Sequence, residues 1–270
     1  MVPIIASVTP NKTKFGPLLY PGELAKAIRE LSELSYDGIE LSLRTAQDIN
    51  QKELEKQLKE SNLKLVSIAT GQSYVEDGYS LFHHDAEFRK KTEDRIKQFV
   101  DIIVNFGAKA VILGGIRGKL DQPDKDKQFN GGLETIERCL EYAGKNNVTL
   151  LLEAINRYET NLLNTVDSCV EVAKKFKSEY LKVLGDSFHM NIEEISLKGA
   201  LDEAAEYIGA IHCADSNRLA PGMGHVNFKE MLSDIEKYPY LIYLGVEVLP
   251  LPDSRASAET AIKTLHKITR

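Results

Sequence analysis

Short runs rich in Val, Ile, Leu and Ala recur along the chain, separated by longer stretches whose apolar residues fall at helical spacing. The runs lie near Pro3–Val8, Gly38–Leu43, Leu63–Thr70, Ala108–Gly114, Val148–Ala154, Leu181–Asp186, Ile208–Ala214 and Tyr243–Leu249. Most are nearly continuous in apolar residues, as strands buried on both faces should be. Pro21 and Gly22 introduce a helix over Glu23–Ser35, where Leu24, Ala27, Ile28, Leu31 and Leu34 form one stripe. Asp85–Phe106 is expected to be the longest helix, with Ile96, Phe99, Val100, Ile103 and Val104 on its apolar side. Asp167 is the expected N-cap of a helix over Ser168–Phe176, and a last helix is expected over Ala256–Ile268.

Eight strands alternating with helices predict a (β/α)8 barrel. An open doubly wound sheet is the alternative. A nucleotide-binding version would need a Gly-rich first turn, and Val8–Gly16 offers none. No linker, low-complexity stretch or clear repeat divides the sequence, so residues 1–270 are expected to form one domain.

Composition narrows the function classes. The chain has 270 residues, 43% hydrophobic and 27% charged, an ordinary make-up for a globular protein. No apolar run approaches the ~20 residues needed to cross a membrane. The opening MVPIIASVTPNKTKF reads as a strand and lacks the basic start and longer apolar core of a secretory signal, so a cytoplasmic location is expected. A net charge of −6 without a basic stretch argues against nucleic-acid binding. Cys139, Cys169 and Cys213 are odd in number, widely spaced and in apolar contexts, which suits reduced, buried thiols. Cys213 follows His212, so on a strand the two side chains point to opposite faces.

Four of the later strand-like runs end on metal-ligand residue types: Glu153, Asp186, His212 and Glu247. Their spacings are 33, 26 and 35 residues, each about one strand-plus-helix unit. In a parallel barrel such residues converge at the C-terminal rim. Taken singly, each has an ordinary reading as a helix cap, a surface charge or a hydrogen-bonded core His. Together they form a set that repulsion and desolvation make untenable without a cation. A mostly oxygen donor set suits Mn²⁺, Mg²⁺ or Co²⁺ better than a thiolate-rich structural zinc.

Glu159, His189 and Arg218 follow these residues on loops of the same rim; a cap, an ion pair or a solvated charge is the alternative for Glu159 and Arg218. Pro221, Gly222 and Gly224 predict a rigid turn, within which Asp215 and His225 serve either the His ligand or the loop itself. Arg44 and Arg117 follow earlier strands. Each is suited to clamp a carboxylate or phosphate, or to make a surface ion pair.

The strings LLLEAINRYETNLLNT, GDSFHMNIEE, IHCADSNRLAPGMGHVNF and GVEVLPLP resemble the metal-dependent ketose 3-epimerases of the xylose-isomerase-like group, the D-tagatose and D-psicose 3-epimerases among them. Within that group, NRYET, FHMNIEE, ADSNR and TGQSYVEDGYSL are most similar to a 5-keto-L-gluconate epimerase branch that acts in inositol breakdown. The resemblance implies one divalent metal, typically Mn²⁺, with Mg²⁺, Co²⁺ or Zn²⁺ as alternatives, on Glu153, Asp186, His212 and Glu247. It also implies Glu153 and Glu247 as the acid/base pair, and Glu159, His189 and Arg218 around the substrate's carbonyl end. The expected substrate is a small keto-sugar or keto-sugar acid, with no nucleic acid or membrane partner, and the group's habit of pairing implies a dimer or tetramer. For an acid sugar, Arg44 and Arg117 are the candidates to bind the carboxylate.

The alternatives are a neutral ketohexose epimerase, and a sugar-phosphate or hydroxypyruvate-type isomerase on the same scaffold. An endonuclease IV-type repair enzyme would need many His ligands and a basic groove, against six His and a negative net charge here.

Overall fold

The computed structural model describes residues 2–269. Among these residues, eight parallel strands close into a barrel in chain order: β1 (Ile4–Val8), β2 (Gly38–Ser42), β3 (Lys64–Ala69), β4 (Ala110–Leu113), β5 (Thr149–Glu153), β6 (Leu181–Asp186), β7 (Ile208–His212) and β8 (Tyr243–Val246). β8 pairs back onto β1 with Ile5 opposite Gly245, so the sheet has no open edge. This is a (β/α)8 barrel, and the doubly wound alternative is excluded by the closure. Most strands stop a residue or two short of the apolar run that announced them, because the run continues into the buried start of the next loop.

The helices wrap the outside as α1 (Leu24–Glu33), α2 (Gln51–Glu60), α3 (Gly71–Asp77), α4 (Ala86–Asn105), α5 (Lys125–Lys145), α6 (Val166–Phe176), α7 (Ser187–Glu193), α8 (Leu197–Glu203), α9 (Phe228–Met231) and α10 (Ser254–Thr269). Three expectations are corrected. Val104, expected on the apolar side of α4, is exposed. Among the described residues α5, with 21 residues, is longer than α4, with 20. The Gly131–Gly132 pair hides α5 in the sequence, yet a Cβ at Gly132 would collide with the Phe82 ring. The N-cap of α6 is Thr165, not Asp167: its hydroxyl accepts from Ser168 N at 3.2 Å, while Asp167 lies in the first turn.

Alternation along each strand sorts side chains into two apolar bodies. Ile5, Ala110, Ile112, Leu151, Leu184, Ala210 and Tyr243 fill the barrel interior. Their neighbours, such as Ile4, Ala6, Val111, Leu150 and Ile211, face outward into the larger core beneath the helices. Each buried Leu or Ile contributes about 1.5–3 kcal/mol relative to exposure. No helix among the described residues is long and apolar enough to cross a membrane.

Candidate active site

The inward parity that places Leu151, Leu184, Ala210 and Tyr243 inside the barrel also directs Glu153, Asp186, His212 and Glu247 inward, two or four positions further along. At the C-terminal rim the four residues are buried, and one ligand atom from each lies within 4.8 Å of the others. Small residues make room for them. A Cβ at Gly245 would stand 2.6 Å from His212 Cδ2, and one at Gly114 would collide with Glu153 Oε2.

Arg218 reaches this cluster from the loop after β7. Its Nη1 donates to Asp186 Oδ2 at 2.6 Å and its Nη2 to Glu247 Oε2. The residue adopts a left-handed backbone (φ 62°), fixed by its N–H on Asp215 O and its carbonyl on Leu249 N. Its guanidinium packs 5.0 Å from the centre of the Phe188 ring. Burial pushes the Asp186 carboxyl up, but the Arg218 guanidinium and nearby imidazoles outweigh it and hold Asp186 below the usual carboxylate range. Glu153 has no guanidinium within ion-pair reach among the described residues, and burial, then the charge of Glu247, pushes it up to about 8. His212 Nδ1 is buried without a hydrogen-bond partner, 3.6 Å from Asp186 Oδ2 and 3.7 Å from Glu247 Oε2. Three carboxylates, one of them uncompensated, around an orphaned imidazole nitrogen are the donor set of a divalent cation. These residues can hold one.

Beside the cluster lies a cavity of about 210 Å³, bounded by Phe15, Gly71, Gly114, Ile155, Glu159, Phe188, His189 and Arg218 together with Glu153 and Glu247. His189 Nε2 stands 3.9 Å from Glu153 Oε1, and Glu159 Oε1 lies 3.8 Å from His189 Nδ1. Burial holds the His189 imidazole down at about 4, so it is neutral near pH 7. A second hollow of about 220 Å³ shares Phe15, Gly71, Gly114, Gly115, Ile155 and Glu159 with the first and adds Arg117, Tyr74 and Thr160. A roomier groove of about 460 Å³ runs outside the barrel along Asp167, Lys174, Glu193 and Glu203, away from the convergent donors.

The two arginines part company. Arg117 is buried; its guanidinium donates to the carbonyls of Gly114, Leu162 and Leu163, and its Nη2 has no hydrogen-bond partner. Arg44 is half exposed, pairs with Asp77 on α3 through Nε at 2.8 Å and Nη2 at 2.5 Å, and lines neither hollow.

Two further residues belong to the site. Asn156 Nδ2 donates to His189 Nδ1 at 2.7 Å and to Glu159 Oε1 at 3.0 Å. Glu40, in mid-strand on β2, lies 3.3 Å from His212 Nε2. A carboxylate interrupting an apolar strand was the available signal for Glu40; nothing in sequence marks Asn156. Asp215 instead organises its own loop, accepting from the backbone N–H groups of Ser216, Gly222 and Val226. His225 Nδ1 lies 2.9 Å from Ser216 Oγ. The three cysteines are free and buried, and burial pushes each up to about 12, which leaves them inert.

The family described as xylose isomerase-like TIM barrel matches residues 28–268. The chain is 23% identical to a 3-dehydro-D-guloside 4-epimerase of Escherichia coli, over 84% of this chain and 88% of that protein. It is 28% identical to an L-ribulose 3-epimerase of Mesorhizobium japonicum, over 89% and 81%. The crystal structure of a Methylomonas D-allulose 3-epimerase in complex with D-allulose superposes with a TM-score of 0.84 at 19% identity, covering 99% of this chain and 98% of that one, a likeness of fold. With a closed barrel, a buried donor cluster at its rim and epimerases as relatives, the chain belongs to the xylose isomerase-like TIM barrel family and is an isomerase of the carbohydrate-epimerase kind.

Proposed function

We propose that the protein is a metal-dependent epimerase of a keto-sugar acid, of the 5-keto-L-gluconate or D-tagaturonate type, inverting the hydroxyl-bearing carbon beside the ketone. The observation that carries the reaction type is the convergence of Glu153, Asp186, His212 and Glu247, with two Glu side chains lining one cavity. The donor set suits Mn²⁺.

A hydrogen beside a ketone is too weakly acidic for a free carboxylate to remove. When bound, the cation supplies Lewis-acid stabilisation of the charge that collects on the ketone and neighbouring oxygen as that proton leaves. One of Glu153 and Glu247 takes the proton from one face of the sugar carbon, and the other returns a proton to the opposite face. Because the reaction runs both ways, the two exchange roles with direction. His189 donates its Nε2–H to a substrate oxygen, since Asn156 occupies Nδ1. Glu159, held by Asn156, accepts from a hydroxyl, and Arg218 sets the orientation of Asp186 and Glu247. Phe15, Ile155 and Phe188 wall the cavity and exclude water.

Arg117 supports the acid substrate. A buried guanidinium with an unpartnered Nη2, bordering the hollow that extends the first cavity, suits the far carboxylate of an acid sugar. The competing substrate is a neutral ketose, which the names of the relatives favour. Incubating Mn²⁺-loaded protein with 5-keto-L-gluconate, D-tagaturonate, D-fructose and D-tagatose, and identifying the products by NMR, tests the choice. Turnover of the acids well above that of the neutral sugars is expected. The reverse order would reject the acid reading and keep the chemistry.

A further inference from the structure

Glu40 lies in the middle of β2, inside the barrel, with no exposed surface. A carboxylate in a dry interior is tolerated only when its oxygens are engaged. Here Oε1 accepts from Ser7 Oγ at 2.8 Å, and Oε2 from Ser67 Oγ at 2.8 Å and Tyr243 Oη at 2.9 Å. Strand register explains the first two, because Ser7 and Ser67 flank Glu40 on β1 and β3. Three hydroxyls seat the group but do not neutralise it. The cationic or cation-ligating group in its reach is His212, whose Nε2 stands 3.3 Å from Oε2.

The other face of that imidazole is the informative one. Nδ1 lacks a hydrogen-bond partner and looks at Asp186 and Glu247. An Nε2–H bond to Glu40 leaves the Nδ1 lone pair directed into the donor cluster. The ring cannot easily turn away, since Gly245 packs against its Cδ2 edge, where even a Cβ would not fit.

We propose that Glu40 is a positioning residue of the metal centre: it takes the Nε2–H of His212 and so presents Nδ1 as the imidazole donor to a divalent cation. Ser7, Ser67 and Tyr243 hold the carboxylate in that orientation. The inference rests on the metal-dependent reading above, and it assigns Glu40 no contact with substrate.

The test is calorimetric titration of MnCl₂ into metal-stripped wild type and Glu40→Gln. Gln keeps the volume and can accept one bond but carries no charge. The Mn²⁺ dissociation constant should rise about 10- to 100-fold with unchanged stoichiometry. A variant that binds Mn²⁺ as tightly as wild type overturns the proposal, whatever happens to its metal-free melting temperature, which a merely structural role would also shift. A wild type that takes no metal is a different outcome and removes the functional reading along with this one. If Glu40→Gln does not fold, ¹⁵N-histidine spectra of Zn²⁺-loaded wild type decide. A protonated Nε2 with a ligated Nδ1 supports the assignment, and the opposite pattern overturns it.

Discussion

Asn156 Nδ2 donates to His189 Nδ1 at 2.7 Å, and that bond decides which imidazole nitrogen faces the cavity. The amide orientation is fixed independently, because Asn156 Oδ1 accepts from Tyr158 N at 2.9 Å. Nε2 therefore carries the hydrogen and points toward Glu153. Loss of a buried orienting hydrogen bond is worth about 1–3 kcal/mol. Asn156→Ala should lower kcat/KM about 5- to 150-fold while leaving the Mn²⁺ dissociation constant unchanged, as steady-state kinetics and calorimetry would show.

Arg218 bridges Asp186 and Glu247 from a buried position, so its removal leaves two carboxylates facing each other in the absence of metal. Breaking a buried pair costs about 3–5 kcal/mol. Arg218→Met should destabilise the metal-free protein by about that amount in urea denaturation, and saturating Mn²⁺ should restore a large part of the loss. Equal destabilisation with and without metal would contradict the shared-charge picture.

Glu153 sets the pH dependence. Burial first, then Glu247, raises it to about 8 against an ordinary value of 4.5, so the metal-free folded protein keeps a proton that the unfolded chain has lost. This group's contribution is most favourable to the metal-free fold below about 4.5 and is progressively lost as pH rises toward about 8. A cation must displace that proton. Metal-free melting temperature should therefore fall, and Mn²⁺ affinity rise, between pH 6 and about 8, with proton release visible as buffer-dependent calorimetric heats.

On the acid-sugar proposal, Arg117 is expected to separate the two substrate classes. Its guanidinium also ties the Leu162 and Leu163 carbonyls, so Arg117→Ala will loosen that loop for every substrate. The informative quantity is the ratio of kcat/KM for the acid sugar to that for the neutral ketose. That ratio should drop by about tenfold or more, the ~1.4 kcal/mol of one charge-assisted contact. An unchanged ratio would remove Arg117 from the substrate site.

The barrel was legible because most strands are nearly continuous apolar runs, and the donor cluster because Glu153, Asp186, His212 and Glu247 lie at or near the ends of four such runs. Helix α5 was not assigned: Gly131 and Gly132 weaken its helical pattern, and only the fold shows that Gly132 is needed where the Phe82 ring packs against it. The α6 cap was misplaced by two residues because Thr165 and Asp167 are both good caps, and backbone geometry, with Thr165 at ψ 156°, selects between them. Glu40 and Asn156 act through partners 172 and 33 residues away, which strand register and loop packing bring together and local pattern does not encode. Arg44 and Arg117 looked alike in sequence and differ because Asp77 lies beside one, while the other has carbonyls as its hydrogen-bond partners.

The most direct measurement is deuterium uptake in D₂O from Mn²⁺-loaded protein and a keto-sugar acid, followed by NMR beside EDTA-treated enzyme and Glu153→Gln. Metal-dependent exchange at the hydroxyl-bearing carbon next to the ketone, accompanied by the inverted sugar, is the predicted result, with both lost after EDTA and the inverted sugar lost in Glu153→Gln. Inversion without deuterium at that carbon, exchange that survives EDTA, or inversion that survives Glu153→Gln, would contradict a two-carboxylate, metal-assisted epimerase.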